Sequence, residues 1–268
     1  MQKGATEISP RLDPARFLSR STPLKHEDHG TALIILNSHI ANFECFQRLY
    51  NHADFVVCAD AGADRLFDLV TEQYSDLAYD IALQKHLPQY IHGDLDSISP
   101  KVQQAYANLG VKVTKDPDQY STDFQKAVKR VFEIDTQARD ILVLGSLGGR
   151  VDQGIGLVHE LYREHKRRVD TRIWFFSESS ISVVLERGHT TLATPLGQGI
   201  IRKHAGILPI YGPAVISTRG FEWDVHDWHT EMGSIVSTSN HIVQDVVEVS
   251  TDREVLFTVE LSASLSDR

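Results

Sequence analysis

The stretch ILVLGSLGGRVDQGIG at residues 141–156 carries the strongest indication of the fold. Its first four residues are apolar and predict a short buried strand over residues 141–144. The glycine-rich loop that follows leads into the start of a predicted helix. A buried strand that runs directly into a helix is typical of parallel strands joined by crossover helices. Residues 141–156 therefore predict one strand–helix unit of an α/β protein.

The same alternation extends to both sides, from residue 31 to about residue 176. Short apolar runs predict further buried strands at residues 32–36, 55–59, 90–92, 111–114 and 173–176. An apolar stripe at helical spacing predicts a helix that carries Phe124, Ala127, Val128, Val131 and Phe132. Thr122 and Gln125 form a capping-box pattern at the start of this helix. We therefore expect a parallel α/β domain over residues 31–176.

The pattern changes after residue 176, because glycine, proline, serine and threonine become frequent and the long helical periods end. Two alternating stretches around the sequence STDR predict a hairpin, with Val246, Val247 and Val249 in one strand and Val255, Phe257 and Val259 in the other. An all-β sandwich or barrel-like domain over residues 177–268 is the simplest fold for this pattern. Residues 1–30 are expected to form a mobile tail.

The composition excludes several classes of protein. Of the 268 residues, 41% are hydrophobic and 24% are charged, which is typical of a globular protein with a substantial core. Because 36 acidic residues outnumber 27 basic ones, for a net charge of -9, nucleic acid is not expected as a partner. The two cysteines, Cys45 and Cys58, are too few for a disulfide framework or a cysteine-rich zinc site. No apolar run reaches the ~18 residues of a membrane span, and residues 1–30 lack a secretory signal, so we expect a cytoplasmic protein.

Acidic residues cluster in two predicted loops that follow strands. The loop HGDLDS places Asp94 and Asp96 directly after a strand, and the loop DPDQYSTD runs from Asp116 to Asp123 before the capped helix. Acids at a helix start can have no role beyond capping the helix, and Asp-x-Asp is common in solvated turns. Asp94 and Asp96 together with Asp116 or Asp118 would, however, repel one another unless a cation such as Mg²⁺ neutralised them. The pair of loops therefore favours a metal site.

Two further loops have features of a phosphate or nucleotide site. Glycines after residue 144 let the backbone approach phosphate oxygens, the helix start offers free N–H donors, and Arg150 adds a positive fork. The same glycines would also suit a tight structural turn. The loop CADAGADR places Asp60 between a strand and a helix, where it can be an ordinary N-cap or lie near a nucleotide or metal.

Taken in order, these loops resemble those of the thiamine pyrophosphokinase family. The matching stretches are ADAGA at residues 59–63, GDLDSI at 93–98, PDQ and TDF within 117–124, GGRVDQ at 148–153 and VSTSN at 236–240. The resemblance runs from about residue 31 to the C-terminus with order and spacing intact. It implies Mg²⁺-dependent transfer of a diphosphoryl group from ATP to the hydroxyl of thiamine, which gives thiamine diphosphate and AMP.

The resemblance also implies a Rossmann-like α/β domain that binds the nucleotide, an all-β sandwich domain that binds thiamine, and a homodimer with thiamine between the subunits. The implied catalytic residues are Asp94, Asp96, Asp123, Arg150 and Asp152, and the implied metal ligands are Asp94, Asp96, Asp118 and Asp123. The implied ATP contacts are Asp60, Asp118, Gln119, Thr122, Gly148, Gly149 and Arg150. The implied thiamine contacts are Gln153, Trp223, Ser237, Ser239 and Asn240.

The sequence departs from the family pattern in two places, and two other functions stay open at this point. Tyr120 stands where many members carry another acid, and residues 71–87 read as an insertion. A glycosyltransferase would also use Asp-x-Asp to chelate the metal of a nucleotide sugar. A sensor that binds nucleotide and thiamine without turnover is the alternative outside enzymes.

Overall fold

The computed structural model describes residues 11–20 and 30–265. Within these residues the chain divides into two compact units. The α/β unit comprises Phe17–Ser180, and the β-rich unit combines the described residues before it with those from Ile181 onward. The division lies close to the change in sequence pattern that follows the last predicted parallel strand. None of the described helices is both long and apolar enough to cross a membrane.

The helices and strands of the first part of the chain match the predicted alternation. In chain order they are β1 (Arg11–Leu12), β2 (Thr31–Ile35), α1 (Phe43–His52), β3 (Phe55–Ala59), α2 (Gly62–Gln73), α3 (Tyr79–Leu83), β4 (Tyr90–Gly93), α4 (Pro100–Asn108), β5 (Lys112–Lys115), α5 (Asp123–Ile134), β6 (Asp140–Leu144), α6 (Val151–Arg167) and β7 (Arg172–Phe176). The later strands are β8 (Ser180–Leu185), β9 (Gly188–Ala193), β10 (Ile201–Leu208), β11 (Ala214–Arg219), β12 (Trp228–Thr230), β13 (Ser237–His241), β14 (Val246–Thr251) and β15 (Val255–Leu261). The chain is therefore a mixed α/β protein with a β-rich C-terminal region.

The strands of the α/β unit are parallel and follow the order β7-β6-β2-β3-β4-β5. β2, β3 and β6 are buried along their whole length, which explains why they read as continuous apolar runs. The chain runs outward from β2 to β5 and then returns to β6 beside β2. Ligands bind at such a switch in strand order, outside the carboxyl ends of the strands.

Helix α5 begins as the sequence predicts. The Thr122 side chain accepts a hydrogen bond from the backbone N–H of Gln125 (3.2 Å), and the Gln125 side chain accepts one from the backbone N–H of Thr122 (3.0 Å). These two bonds complete the capping box. The apolar stripe of α5 is buried apart from the half-buried Phe132. Lys126 is buried in the same stripe, one turn after Asp123.

Residues 11–20 are packed, in contrast to the mobile tail that we expected there. Strand β1 pairs in parallel with β9, and Leu12, Phe17 and Leu18 are buried. The buried Arg48 donates a hydrogen bond to the carbonyl oxygen of Leu18 at 2.6 Å. Burial removes these apolar side chains from water, which is enough to hold a short, otherwise polar segment in place. The rest of the expected tail lies outside the described part of the chain.

The β-rich unit contains the strand orders β13-β10-β15-β8 and β1-β9-β14-β11-β12. The predicted hairpin of β14 and β15 is wrong, because β14 pairs with β9 and β11 whereas β15 pairs with β10. The reason lies in the turn between them. Asp252 accepts a hydrogen bond from the backbone N–H of Val215 (2.7 Å), and its own N–H donates to the carbonyl of Val215 (3.2 Å). The turn therefore stays bound to β11 while the chain leaves for the other set of strands.

Residues 71–87, the apparent insertion, form the end of α2, the short α3 and a loop that carries His86. The His86 ring is buried, and its centroid lies 5.1 to 5.9 Å from those of four aromatic rings, which belong to Phe43, Phe46, Tyr50 and Tyr74. The Tyr74 hydroxyl lies 3.2 Å from His86 Nε2. Burial lowers the pKa of His86, helped by the charge of Lys85. His86 therefore anchors this segment as a neutral ring.

This burial predicts a pH dependence of stability. The pKa of His86 is lower in the folded protein than in the unfolded chain. Protonation of His86 therefore leaves the free energy of unfolding unchanged above about pH 6.5 and lowers it as the pH drops toward the folded pKa. We expect the loss of Tm between neutral and mildly acidic buffer to be smaller in His86→Phe than in the wild type. Thermal unfolding followed by circular dichroism measures this difference. Equal losses in both proteins would contradict the assignment.

Candidate active site

Three carboxylates meet at the carboxyl edge of neighbouring parallel strands. Asp60 follows β3, Asp94 follows β4, and Asp123 is the first residue of α5. One oxygen from each of them lies within 4.8 Å of the others. We call Asp60, Asp94 and Asp123 the acidic trio. Their positions after strands and at a helix start are the reason that residues far apart in sequence converge here.

Asp60 is the most constrained member of the trio. Its backbone is left-handed, with φ at +45°, and its N–H donates to the carbonyl of His92 at 3.1 Å. Oδ1 accepts a hydrogen bond from the backbone N–H of Ile98 at 2.9 Å, whereas Oδ2 is buried and has no hydrogen-bond partner among the described residues. A Cβ on Gly93 would lie 3.0 Å from the Cβ of Asp60, so glycine at this position makes room for the trio.

Lys126 provides the positive charge of the site. Its Nζ lies 2.6 Å from Asp94 Oδ2, and its side chain is only 1% exposed. The bond with Lys126 is the largest of the effects that lower the pKa of Asp94 to about 2. Burial, then the neighbouring Asp94 carboxylate, raise the pKa of Asp60 to about 6, and burial with the charge of Asp94 raises the pKa of Asp123. Opposed pKa shifts within one cluster are typical of functional carboxylates.

The acidic trio fits a hard divalent cation. Carboxylate oxygens are the protein ligands that Mg²⁺ prefers, and the buried Asp60 Oδ2 is left without another partner in the described residues. A bound cation would supply that partner and cancel the mutual repulsion of Asp94 and Asp123. The donor set therefore suits Mg²⁺, with further positions left to phosphate oxygens or water.

The other predicted acids lie outside the trio. Asp96 is exposed and accepts a hydrogen bond from the Ser97 hydroxyl at 2.8 Å, although its charge contributes to the raised pKa of Asp123. Asp118 bonds within its own loop, to the backbone N–H of Tyr120 at 2.9 Å and to the hydroxyl of Ser121. This loop is a series of turns closed by aspartate side chains, which directs the Asp118 carboxylate to its own backbone. Tyr120 is fully exposed.

The glycine-rich loop after β6 forms the predicted turn into α6. Gly145 and Gly149 adopt positive φ values of +82° and +75°. Arg150 occupies the N-cap position of α6, but its side chain makes no capping hydrogen bond. The Arg150 side chain therefore leaves the start of α6 uncapped, and the N–H groups of a helix start attract an anion. Arg150 instead makes a two-pronged ion pair with Asp152, with Nε–Oδ1 at 3.1 Å and Nη2–Oδ2 at 2.6 Å. Both side chains are exposed, so solvent screens this pair.

The remaining predicted residues of the α/β unit are exposed and lie near these loops in sequence. Gly148, Gly149 and Gln153 are exposed around the start of α6, and Gln119 is exposed beside Tyr120. Among the described residues, a Cβ on Gly149 would have nothing within 4 Å, whereas one on Gly148 would lie 3.5 Å from the Ser38 hydroxyl, so the loop is open at Gly149. These positions leave the backbone accessible to a ligand.

The β-rich unit carries an exposed aromatic platform. Trp223 is 55% exposed. The buried Asn240 fixes its backbone, because Asn240 Oδ1 accepts from the Trp223 N–H (3.3 Å) and Nδ2 donates to the Trp223 carbonyl (3.0 Å). The His241 ring lies 5.0 Å from the indole and bonds to the Glu222 carboxylate. Asn240 and His241 belong to β13, which also carries Ser237 and Ser239.

Two features of the site were not found from the sequence. The grouping of Asp60 with Asp94 and Asp123 is one of them, because the sequence assigned Asp60 to the ATP contacts, although its place after a parallel strand is the same as that of Asp94. Lys126 was not singled out, although it interrupts an otherwise apolar helical stripe one turn after Asp123. A charged residue at a core position of a helix next to acidic loops is a signal that could have found it.

An acidic cluster and a glycine-rich helix start, both at the carboxyl ends of strands of one parallel sheet, are typical of a metal-dependent nucleotide-binding enzyme. Comparison with known proteins narrows this class. Residues 46–174 match the family described as thiamin pyrophosphokinase, catalytic domain, and residues 189–256 match the thiamin pyrophosphokinase vitamin B1 binding domain. The acidic trio falls within the first match, and Trp223 falls within the second.

Individual relatives are similar to this chain over most of its length. Thiamine pyrophosphokinase 2 of Oryza sativa subsp. japonica is 31% identical over 236 residues, which cover 86% of each chain. Thiamine pyrophosphokinase 3 of the same organism is 32% identical over 238 residues, again 86% of each chain. The crystal structure of yeast thiamin pyrophosphokinase superposes with a TM-score of 0.80 at 25% identity and covers 98% of this chain and 95% of that one. This chain belongs to the thiamine pyrophosphokinase family, which confirms the resemblance of the loops.

Proposed function

We propose that this protein transfers the diphosphoryl group of ATP to the hydroxyl oxygen of thiamine, with Mg²⁺ as the metal. The products are thiamine diphosphate and AMP. The observation that carries the proposal is the convergence of Asp60, Asp94 and Asp123 within the part of the chain that matches the catalytic domain. Among the described residues, the buried Oδ2 of Asp60 has no hydrogen-bond partner. A glycosyltransferase is not favoured, because both parts of the chain match thiamin pyrophosphokinase families.

The acidic trio is the proposed Mg²⁺ site, with Asp96 close enough to act through its charge or a bound water. When bound, Mg²⁺ neutralises the charge of the phosphate oxygens. Asp118, with Gln119 and Thr122, is assigned to the ATP side of the site and not to the metal itself. This differs from the set of four ligands that the sequence suggested, because the side chain of Asp118 is bound within its own loop.

The start of α6 is the proposed phosphate site. Gly149 keeps the backbone open, and the N–H groups of the helix start, with the Arg150 guanidinium, bind phosphate oxygens. Arg150 exchanges its exposed partner Asp152 for the phosphates at low cost, because an exposed ion pair contributes little. Asp152 and Gln153 then lie free to orient the reacting end of thiamine.

The reaction that this arrangement supports is an in-line displacement. The thiamine hydroxyl oxygen forms a bond to the β-phosphorus, the bond from the β-phosphorus to the oxygen of the α-phosphate breaks, and AMP leaves with that oxygen. The hydroxyl proton passes to a carboxylate of the loops or to water. The residues of the chain contribute mainly by positioning and by charge neutralisation, which dominate phosphoryl transfer.

Thiamine is the proposed ligand of the aromatic platform in the β-rich unit. An exposed indole attracts a cationic ring such as thiazolium, and Trp223 is held in place through its backbone by Asn240. Ser237 and Ser239 of β13 offer hydroxyls for the polar edge of the pyrimidine. The match of residues 189–256 to a vitamin B1 binding domain supports this assignment.

The acceptor atom can be tested directly. An analogue of thiamine that lacks the hydroxyl oxygen is expected to bind with an affinity near that of thiamine and to release no AMP from ATP. Calorimetry measures the binding, and chromatography measures the AMP. Release of AMP at the normal rate with this analogue would show that water or another group accepts the diphosphoryl group, and would overturn the proposed reaction.

The detailed architecture of the two units, the cellular location and the oligomeric state are also proposals. The strand order and crossover helices support a Rossmann-like α/β unit, and the two sets of mostly antiparallel strands support a sandwich in the β-rich unit. The free, buried Cys45 and Cys58 are consistent with a reducing compartment, which supports a cytoplasmic location. We also propose a homodimer in which thiamine binds between subunits, as the family resemblance implies. The exposed apolar side chains of Val151 and Ile155 on α6, at 75% and 67%, are the candidate contact between subunits.

The dimer gives a further prediction. Ile155→Asp places a charge in the proposed interface, so we expect it to convert the dimer to a monomer, as measured by light scattering after size exclusion. Val169→Asp is the matched control, because Val169 is 74% exposed beyond the other end of α6. The control is expected to stay dimeric. A dimer that persists in Ile155→Asp, or a monomeric wild type, would refute the proposed interface.

A further inference from the structure

Lys126 is an unusual residue for the position that it holds. It lies in the buried stripe of α5, and its side chain is 1% exposed. Burial of an ammonium group is unfavourable unless a carboxylate pairs with it. Its Nζ lies 2.6 Å from Asp94 Oδ2, so Lys126 is directed at a member of the acidic trio. A buried Lys placed one turn after Asp123 therefore belongs to the site.

The formal charges of the site suggest what Lys126 does. Three carboxylates and one ammonium leave two net negative charges, which a divalent cation cancels. Without Lys126, the trio would attract a bare cation more strongly, and the filled site would keep one negative charge facing an anionic nucleotide. The lysine therefore opposes binding of the metal alone and favours binding of the metal together with the nucleotide.

The geometry supports the same conclusion. Lys126 engages Oδ2 of Asp94, which fixes the orientation of this carboxylate before any cation arrives. The other two members of the trio have no bond to Lys126, and Asp60 Oδ2 has no hydrogen-bond partner within the described residues. Lys126 thus holds one oxygen of Asp94, while Oδ2 of Asp60 and the Asp123 carboxylate remain available to a cation.

We propose that Lys126 is a positioning residue and internal counter-ion that makes divalent-metal binding at the acidic trio depend on the nucleotide. This inference rests on the proposed function, since it takes the trio as the site of the metal–nucleotide complex. Its consequence is thermodynamic coupling: ATP tightens metal binding, and metal tightens ATP binding by the same factor. Removal of the lysine charge therefore reduces both the factor by which ATP tightens metal binding and the factor by which the metal tightens ATP binding.

The test measures binding and does not require turnover. Mn²⁺ is titrated into the protein in mildly alkaline buffer, with and without α,β-methylene-ATP, and free Mn²⁺ is followed by electron paramagnetic resonance. In Lys126→Met we expect the affinity for Mn²⁺ alone to rise, and the factor by which the nucleotide tightens Mn²⁺ binding to fall, by about tenfold. Lys126→Arg, which keeps the charge, is expected to restore most of the coupling.

The matched control is Lys129→Met, which removes a lysine one turn or less away on the same helix. Lys129 pairs with Asp116 at 3.0 Å, is 62% exposed, and has no contact with the trio among the described residues. Its coupling factor is expected to equal that of the wild type. Thermal unfolding checks each fold, and Lys126→Gln replaces Lys126→Met if the methionine variant does not fold.

The outcomes separate this inference from the proposed function. An equal coupling factor in the wild type and Lys126→Met would overturn the role of Lys126 while leaving the metal–nucleotide site intact. Weaker binding of Mn²⁺ alone in Lys126→Met would also overturn it, because it would make the lysine a support for the metal and not a counter-ion. A wild type that binds neither Mn²⁺ nor the analogue would refute the proposed site itself.

Discussion

Asp123→Asn is expected to lower kcat for thiamine diphosphate formation by about a hundredfold to a thousandfold, which is typical for the loss of one group that acts on developing charge. Asp123 is a member of the acidic trio, and its carboxylate makes no hydrogen bond within the residues that the structure describes. Asparagine has nearly the same shape at the first position of α5, so the fold should not change. Steady-state kinetics at saturating Mg²⁺ measures the effect.

Two further variants sharpen this prediction. Asp60→Asn keeps an oxygen for the N–H of Ile98 and tolerates the left-handed backbone at residue 60, so its loss of activity reports the missing charge. Asp76→Asn removes an exposed acid outside the trio and is expected to have normal kcat. Near-normal activity of folded Asp123→Asn and Asp60→Asn would refute the trio as the metal site.

Trp223→Ala is expected to raise KM for thiamine about tenfold, since a cation stacked on an indole contributes ~1–2 kcal/mol. KM for ATP and kcat should change little, because stacking on the indole holds thiamine equally in the ground state and the transition state and does not involve ATP. Steady-state kinetics with each substrate varied in turn separates the two constants. The truncation should not unfold β13, because the Trp223 side chain is about half exposed and Asn240 bonds to the backbone of residue 223, which the substitution keeps.

Trp223→Phe serves as the control for this prediction. A smaller aromatic face should recover part of the affinity for thiamine, whereas a purely structural role would not distinguish phenylalanine from alanine at an exposed position. An unchanged KM for thiamine in Trp223→Ala would contradict the assignment of the platform.

The parallel strands and two members of the trio could be predicted because their signals are local. β2, β3 and β6 are buried on both faces and therefore appear as uninterrupted apolar runs. Asp94 and Asp123 stand directly after a strand and at a capped helix start, which places them at the ligand-binding edge of the sheet. The ends of the predicted strands differ by one residue at most from those observed.

The remaining features depend on contacts between residues that are distant in sequence. The pairing of β14 and β15 was wrong because Asp252 bonds to Val215, a contact that no local spacing reveals. The partner of Lys126 lies 32 residues upstream, so the helical stripe alone could not show why a lysine is buried in it. The packing of residues 11–20 likewise depends on partners such as β9, far along the chain.

The central claim is the transfer of an intact diphosphoryl group. Incubation of the pure protein with ATP, thiamine and Mg²⁺, followed by chromatography of the nucleotides and thiamine phosphates, tests it most directly. We predict AMP and thiamine diphosphate in equal amounts, and neither product when the metal is chelated. ADP with thiamine monophosphate, or binding of both substrates without any product, would contradict the account.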